Sequence, residues 1–233
     1  MTRPSGLPLI YCAIDTKDMG RAAELSVAVT EAGCGVKLGL EFFNANGPQG
    51  VQTILEQRVS PSVFLDLKYH DIPNTVAGAI ESVASLDVSY LNVHASGGFE
   101  MMRAAKSSCA PKTKLLAVTI LTSLDDSALE EVGQPCASAQ VHRLATLTRK
   151  AALDGVVCSA HEIVSLRDTL GPDFILMVPG IRPAGSDAGD QKRIMTPAQA
   201  VALGATHLVI GRPITQAADP VRAAKDILDS IAA

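Results

Sequence analysis

Short apolar runs recur along the chain and are separated by longer segments of mixed polarity. The runs are rich in Val, Ile and Leu without strict alternation, which is typical of parallel strands buried on both faces. In order, the runs are LPLIYCAID at 7–15, GVKLGL at 35–40, VFLDLK at 63–68, YLNVHA at 90–95, LLAVTIL at 115–121, GVVCSA at 155–160, FILMVPG at 174–180 and HLVIG at 207–211. This pattern predicts eight buried strands.

The intervening segments carry Ala, Leu and charged residues at helical spacing. They predict helices over 18–32, 48–58, 73–86, 99–108, 137–153, 161–170, 197–203 and 219–231. Eight strands that alternate with eight helices close into a barrel without an exposed edge, which favours a barrel over an open doubly wound sheet. The predicted fold class is therefore α/β, a (β/α)8 TIM barrel, with residues 1–233 as one domain. We expect the long loops at 123–135 and 180–197 to be functional loops.

Composition and charge narrow the range of partners. The 233 residues are 47% hydrophobic and have a net charge of −4, with no Trp, five Phe and three Tyr. This argues against nucleic acid as a partner, because such binding needs basic patches and aromatic stacking surfaces. An anionic ligand must then be small and bound by a local cluster of cations.

The chain shows no signal of export or membrane insertion. No apolar run approaches the length of about 18 residues that a membrane-spanning helix needs, and no signal-peptide pattern is present, so no membrane partner is expected. The five cysteines are widely spaced and form no C-x-x-C pair. This spacing predicts reduced thiols in a cytoplasmic protein rather than a disulfide framework or a zinc site.

Polar residues fall where the predicted strands end, which is where the active sites of such barrels lie. Asp15 ends the first run, Lys37 interrupts the second, and Asp66 and Lys68 end the third. In a regular strand Asp66 and Lys68 point to the same face, roughly 6.6 Å apart along the chain. Buried charges are costly alone, so the two residues form either a structural ion pair or part of a ligand site.

Two further readings stay open for the other charged residues. Asp71 stands ahead of Pro73 and could cap a helix, or could face the site. Lys37 and Asp15, taken separately, could be charges that stabilise the barrel. Taken together, two lysines and three acids could alternate around one pocket.

The loops after the seventh and eighth runs resemble a phosphate-binding arrangement. PGIRPAGSDAGDQKR at 179–193 contains Pro179, Arg182 and Gln191, and VIGRPIT at 209–215 contains Gly211 and Arg212. Glycine lets backbone N–H groups approach a phosphate, and arginine binds it through paired hydrogen bonds. The alternative is a surface loop whose arginines are solvated.

Six motifs occur in a fixed order: AID ending at Asp15, VKLG around Lys37, the D-x-K-x-x-D run from Asp66 through Lys68 to Asp71 with IPNT after it, LTS at 121–123, PGIR leading to Gln191, and GR at 211–212. The D-x-K-x-x-D run alone is shared with other barrels of one superfamily. The ordered set runs nearly from end to end and resembles the orotidine 5'-phosphate decarboxylase family, in its bacterial type.

The resemblance implies a lyase that removes CO2 from orotidine 5'-monophosphate in pyrimidine biosynthesis, with neither a cofactor nor a metal. It implies a homodimer whose two active sites each borrow residues from the partner. Lys68 would be the proton donor, flanked by Asp66 and by Asp71 of the partner subunit, and Lys37 would link these groups and touch the ribose.

The resemblance also implies roles for the other site residues. Asp15 would bind the ribose hydroxyls, and either Thr122 or Ser123 would meet the pyrimidine. Ile72 and Thr75 would reach into the neighbouring site. The phosphate side would be formed by Pro179, Arg182, Gln191, Gly211 and Arg212.

Two rival functions remain at the level of sequence. One is a magnesium-dependent sugar-phosphate enzyme of the same superfamily, either a 3-keto-gulonate-phosphate decarboxylase or a hexulose-phosphate synthase. Lys37 disfavours this function, because those relatives resemble one another in offering a carboxylate there and a lysine would repel Mg²⁺. The other rival is a non-catalytic phosphate-binding barrel.

Overall fold

The protein is a closed barrel of eight parallel strands, in a computed structural model that describes residue 4, residues 6–183 and residues 195–232. The strands are β1 (Ile10–Ile14), β2 (Gly35–Gly39), β3 (Val63–Tyr69), β4 (Tyr90–His94), β5 (Lys114–Val118), β6 (Gly155–Val157), β7 (Ile175–Val178) and β8 (His207–Ile210). Each strand pairs with its neighbour in sequence, and β8 closes the barrel onto β1. The predicted fold class is confirmed.

Helices connect the strands and cover the barrel. They are α1 (Met19–Glu31), α2 (Leu40–Leu55), α3 (Pro73–Ser82), α4 (Gly98–Ser108), α5 (Asp126–Glu131), α6 (Ala137–Lys150), α7 (Ile163–Leu170), α8 (Pro197–Leu203), α9 (Arg212–Thr215) and α10 (Pro220–Ala232). All eight predicted segments contain a helix. Two short helices were not predicted: α5 lies in the loop after β5, and α9 begins directly after β8.

Several helix ends differ from the prediction for local reasons. α2 begins at Leu40 instead of residue 48, and Gly47 interrupts it with φ 62° and ψ −167° just before Pro48. Proline is favoured at the start of a helix, so the pattern showed only the half that follows Pro48. The predicted helix over 73–86 ends at Ser82 and continues as a 3₁₀ turn over Ala84–Leu86.

Capping side chains fix where other helices begin. The Asp18 carboxylate accepts a hydrogen bond from the Arg21 N–H at 2.8 Å, which satisfies a donor in the first turn of α1. Thr196 and Gln199 form a reciprocal capping box at the start of α8.

Inward-facing side chains close the lower part of the barrel. This inner cluster consists of Tyr11, Ala13, Phe64, Tyr90, Leu116, Ile175, Met177 and Val209. The Tyr90 hydroxyl lies 2.7 Å from His207 Nε2 and the Tyr11 hydroxyl 2.8 Å from Ser62 Oγ, so both buried hydroxyls of this layer have a partner. The packed layer forms a floor, and the open space of the barrel lies above it at the C-terminal ends of the strands.

The described residues include no helix that is both long enough and apolar enough to cross a membrane.

Candidate active site

A cavity of about 490 Å³ opens at the C-terminal ends of the strands. Its polar lining residues are Asp15, Lys37, Asp66, Lys68, Thr122, Arg182, Arg212, Thr215 and Gln216. Apolar side chains from the inner cluster and from β5 and β6 form the rest of the wall, including Phe64, Val118, Val157 and Val209. The cavity therefore has a charged side, an apolar middle and a basic side.

The charged side is a chain of alternating ion pairs. Lys37 Nζ lies 3.5 Å from Asp15 Oδ1 and 3.1 Å from Asp66 Oδ2. Lys68 Nζ lies 2.7 Å from Asp66 Oδ1. Lys37 and Asp66 are each only 8% exposed, whereas Asp15 is largely open to the cavity. The two buried charges compensate each other, and the two ends of the chain are available to a ligand.

The protonation states of the buried pair follow from this geometry. Burial alone raises the pKa of Asp66, but the ammonium groups of Lys37 and Lys68, together with hydrogen bonds from Lys68 and Asn92, lower it to about 2. Burial alone lowers the pKa of Lys37, but the carboxylates of Asp66 and Asp15 raise it above its usual value. Both groups are therefore ionised at neutral pH.

The depressed pKa of Asp66 predicts an acid-sensitive contribution to stability. This contribution is complete above the ordinary aspartate pKa of 3.8 and disappears as the pH falls through about 2. Between about pH 5 and pH 2, the free energy of unfolding should fall by about 2 kcal/mol more in the wild type than in Asp66→Asn. Urea unfolding at each pH measures the difference.

An exposed carboxylate provides the control for this measurement. Asp226 lies on α10 with its side chain largely in solvent, and it lies 3.8 Å from Arg222, which is also exposed. Asp226→Asn should follow the wild-type pH profile. If the profile of Asp66→Asn also parallels the wild type, the pKa of Asp66 is not depressed.

Lys68 reaches Asp66 through a bulge rather than through a regular strand. Leu65 of β3 pairs with Leu91 of β4, and the next pair is Tyr69 with Val93, so the register shifts between these pairs. Lys68 itself has φ 51°. Such a conformation costs a non-glycine residue about 1–3 kcal/mol and persists only where the surroundings impose it. The predicted proximity of the two charges is confirmed, but the regular strand geometry on which it rested is wrong.

Asn92 belongs to this side of the site and was not predicted. Its Nδ2 donates to Asp66 Oδ1 at 2.7 Å, and its Oδ1 accepts from the Lys68 backbone N–H at 2.8 Å. A polar residue in the middle of the apolar run YLNVHA is the signal that could have revealed it, because a buried amide needs partners. Thr215 and Gln216 were also missed, since α9 was not predicted.

The basic side lies beyond β7 and β8, as the sequence predicts. Pro179, Arg182, Gly211 and Arg212 line the cavity, and Arg182 is buried with one Nη1 hydrogen bond to the carbonyl of Ile181 at 2.9 Å. The predicted residue Gln191 lies outside the described residues.

Thr122 and Ser123 are separated by the structure. In the described part of the chain, Thr122 lies in the cavity wall, whereas Ser123 is exposed and is not part of that wall. The geometry therefore favours Thr122 for contact with a ligand.

The residues Asp71, Ile72 and Thr75 follow β3 but face outward. All three are exposed, Ile72 by 65%, and the described cavity wall does not include them. The alternative of a helix cap at Asp71 is wrong: the N-cap of α3 is Ile72, and Asp71 Oδ1 accepts a hydrogen bond from the adjacent Ile72 N–H at 2.6 Å. These residues thus form an exposed, partly apolar patch beside the site.

The fold and the site together define a class: a (β/α)8 barrel whose C-terminal face carries a cavity between two arginines and a chain of paired lysines and aspartates. A narrower assignment comes from comparison with known proteins. Residues 8–227 match the model of the orotidine 5'-phosphate decarboxylase / HUMPS family, and the chain belongs to this family.

Individual relatives agree with this assignment. The chain is 51% identical over 229 residues to orotidine 5'-phosphate decarboxylase of Idiomarina loihiensis, covering 97% of this chain and 98% of that protein. It is 49% identical over 231 residues to the protein of the same name from Rhodospirillum rubrum, covering 95% of this chain and 93% of that protein. A crystal structure of orotidine 5'-phosphate decarboxylase from Lactobacillus acidophilus superposes with a TM-score of 0.85 at 34% identity, covering 97% of this chain and 100% of that one.

Proposed function

We propose that the protein converts orotidine 5'-monophosphate to uridine 5'-monophosphate and CO2 without a cofactor, as a step of pyrimidine biosynthesis, with Lys68 as the proton donor. The observation that carries the proposal is the continuous chain of opposite charges from Asp15 through Lys37 and Asp66 to Lys68 in the cavity wall. Family members that share about half of the sequence bear the name of this decarboxylase.

The reaction needs a fixed cation at the carbon that loses CO2. When the bond between C6 and the carboxylate breaks, the electron pair stays on C6, where no ring system delocalises it. The Lys68 ammonium, held 2.7 Å from Asp66 Oδ1, is in place before charge develops and so stabilises the carbanion without reorganisation. Lys68 then donates a proton to C6 and regains one from solvent.

The other members of the chain orient Lys68 and bind the ribose. Lys37 holds Asp66 Oδ2 from the side opposite to Lys68, which fixes the carboxylate between two ammonium groups. Asp15 is open to the cavity and can accept hydrogen bonds from ribose hydroxyls. Thr122 on the neighbouring wall contacts the pyrimidine.

The phosphate binds on the basic side, with Pro179, Arg182, Gly211 and Arg212 in the described wall and Gln191 from the remainder of the loop. This group is remote from C6. Its binding energy therefore acts by ordering the site around the substrate, so that distant contacts lower the barrier of the chemical step.

A homodimer completes each active site. Asp71, Ile72 and Thr75 are exposed and lie outside the described cavity wall of their own chain, so they are available to a second copy. In the dimer, Asp71 of the partner subunit gives Lys68 its second carboxylate. The exposed Ile72 side chain loses water on association, which favours the assembly.

The five cysteines are consistent with a cytoplasmic location. All five carry free thiols, and burial raises the pKa of the Cys34 thiol to about 12, so that it stays protonated at neutral pH. Free thiols of this kind fit a reducing compartment.

The decisive test of the function is an ultraviolet assay of substrate consumption. Addition of the protein to orotidine 5'-monophosphate should change the ultraviolet absorbance as the orotate ring becomes uracil, and excess chelator should not change the rate. Lys37 Nζ lies between two carboxylates that a Mg²⁺ site would need, which disfavours the magnesium-dependent sugar-phosphate function. No turnover of orotidine 5'-monophosphate contradicts the proposal. Chelator-sensitive turnover of a sugar phosphate then supports that rival, and no turnover of either substrate supports a non-catalytic barrel.

The phosphate assignment predicts the behaviour of Arg212→Ala. The variant should lower kcat/KM for orotidine 5'-monophosphate by about 10- to 150-fold, because a hydrogen bond to a charged group contributes about 1.5–3 kcal/mol. Steady-state kinetics measure this loss. For the nucleoside orotidine, which lacks the phosphate, the variant and the wild type should be equally slow.

An exposed arginine serves as the control for this variant. Arg58 pairs with Glu31 on the surface, so Arg58→Ala should retain the wild-type kcat/KM. Unchanged kcat/KM in Arg212→Ala contradicts its assignment to the phosphate.

A further inference from the structure

Asn92 is a fully buried polar residue inside the barrel. Its neighbours Leu91 and Val93 belong to the hydrophobic core between the strands and the surrounding helices, whereas Tyr90 belongs to the inner cluster. Since side chains alternate along a strand, Asn92 points inward like Tyr90, one layer nearer to the cavity. Its exposed fraction is 0%, so water does not solvate its amide.

Both ends of this amide bind the catalytic strand. Nδ2 donates to Asp66 Oδ1 at 2.7 Å, and Oδ1 accepts from the Lys68 N–H at 2.8 Å. A side-chain amide supplies a donor and an acceptor at fixed separation, which neither a carboxylate nor a hydroxyl does in the same way. Asn92 thus holds the carboxylate of one site residue and the backbone of the other.

The pairing of β3 with β4 explains why this support is needed. Leu65 pairs with Leu91 and Tyr69 with Val93, so three residues of β3, 66–68, lie opposite Asn92 alone. Asp66 still pairs with Gly39 of β2, but no residue of 66–68 has a pairing partner on β4, and Lys68 has the left-handed φ of 51°. The Asn92 side chain takes the place of the missing ladder contact at Lys68.

We propose that Asn92 is the positioning residue of the site: it holds the bulge of β3 open so that Lys68 and Asp66 face the reacting carbon together. The proposal rests on the proposed decarboxylation. Without the amide, the Lys68 backbone is free to leave its left-handed φ of 51°, which moves the Lys68 side chain away from its position. Asn92 acts through Lys68 and Asp66 and does not touch the substrate.

Two variants test the proposal. Asn92→Leu keeps the approximate size and removes the amide, and Asn92→Ser leaves room for a water molecule if the leucine variant does not fold. In the folded variant, kcat should fall about 100-fold, because a displacement of about 1 Å in a catalytic group costs that much. The Kd for uridine 5'-monophosphate should stay within about threefold of the wild type, because the ribose and phosphate contacts remain.

Tyr90→Phe is the matched control. Tyr90 lies on the same strand and the same inward face as Asn92 and is equally buried. The substitution removes its hydrogen bond to His207. This variant should lower the melting temperature but leave kcat unchanged, which separates a general loss of barrel stability from loss of positioning.

The outcomes distinguish the inference from the function on which it rests. If the wild type does not consume orotidine 5'-monophosphate, the proposed function fails. A second outcome is that the wild type is active and that a folded Asn92 variant, Asn92→Leu or Asn92→Ser, has the wild-type kcat per nucleotide-binding site. The positioning role of Asn92 is then overturned while the function stands. An equal loss of kcat in Tyr90→Phe also overturns it.

Discussion

Lys68→Ala should lose turnover of orotidine 5'-monophosphate by at least about four orders of magnitude. The variant removes both the proton donor and the preformed cation. Proton transfer from a positioned side chain contributes about 10²- to 10⁴-fold to the rate. Electrostatic stabilisation by a fixed group contributes about 10²- to 10³-fold. The basic side and Asp15 are untouched, so uridine 5'-monophosphate should still bind. Single-turnover kinetics and calorimetric titration with the product measure the two quantities separately.

Lys106 offers a matched lysine for this experiment. It forms an ion pair with Asp154, which precedes β6 at the opposite end of the barrel. Lys106→Ala should lose stability and keep its kcat. Full activity in Lys68→Ala refutes the role of Lys68 as proton donor, and loss of product binding shows that the variant damages the site as a whole.

The second large effect is recovery of activity from two inactive proteins. Asp71→Ala and Lys68→Ala should each be nearly inactive alone. In a mixed dimer, one site combines the intact Lys68 of one chain with the intact Asp71 of the other, and the second site carries both defects. After complete exchange of subunits in an equal mixture, half of the dimers are mixed, so about one quarter of the wild-type activity should return.

The control mixture uses two defects from the same side of the site. Asp66 and Lys68 form an ion pair within one chain at 2.7 Å, so both belong to the same half of each site. In a mixture of Asp66→Asn with Lys68→Ala, every site therefore carries one of the two defects. This mixture should recover nothing. Absence of recovery in the Asp71 mixture, despite subunit exchange shown by mass spectrometry, contradicts a shared active site.

The barrel could be predicted from the sequence because its signals are local. Eight apolar runs without alternation indicate strands buried on both faces, and the runs match β1 to β8. The first half of α2 was missed, because Gly47 and Pro48 made its second half look like a complete helix. The short helix α9 has only four residues, too few for a periodic pattern.

The site could be predicted in outline but not in its geometry. Asp15, Lys37, Asp66 and Lys68 were found because charges are rare at the ends of buried strands, and they do meet in one cavity. The register shift in β3 depends on its pairing with β4, a contact between residues distant in sequence, so no local pattern revealed it. For Asn92 the local sequence shows a polar residue in an apolar run, but its importance comes from the two partners across that shift.

The most direct measurement for the whole account is a crystal structure with uridine 5'-monophosphate bound. In that structure Lys68 Nζ should lie about 3–3.5 Å from C6 of the pyrimidine, with the carboxylate of Asp66 on one side and Asp71 of the partner subunit on the other. Lys68 turned away from the base, or Asp71 held on its own subunit far from the nucleotide, contradicts the account.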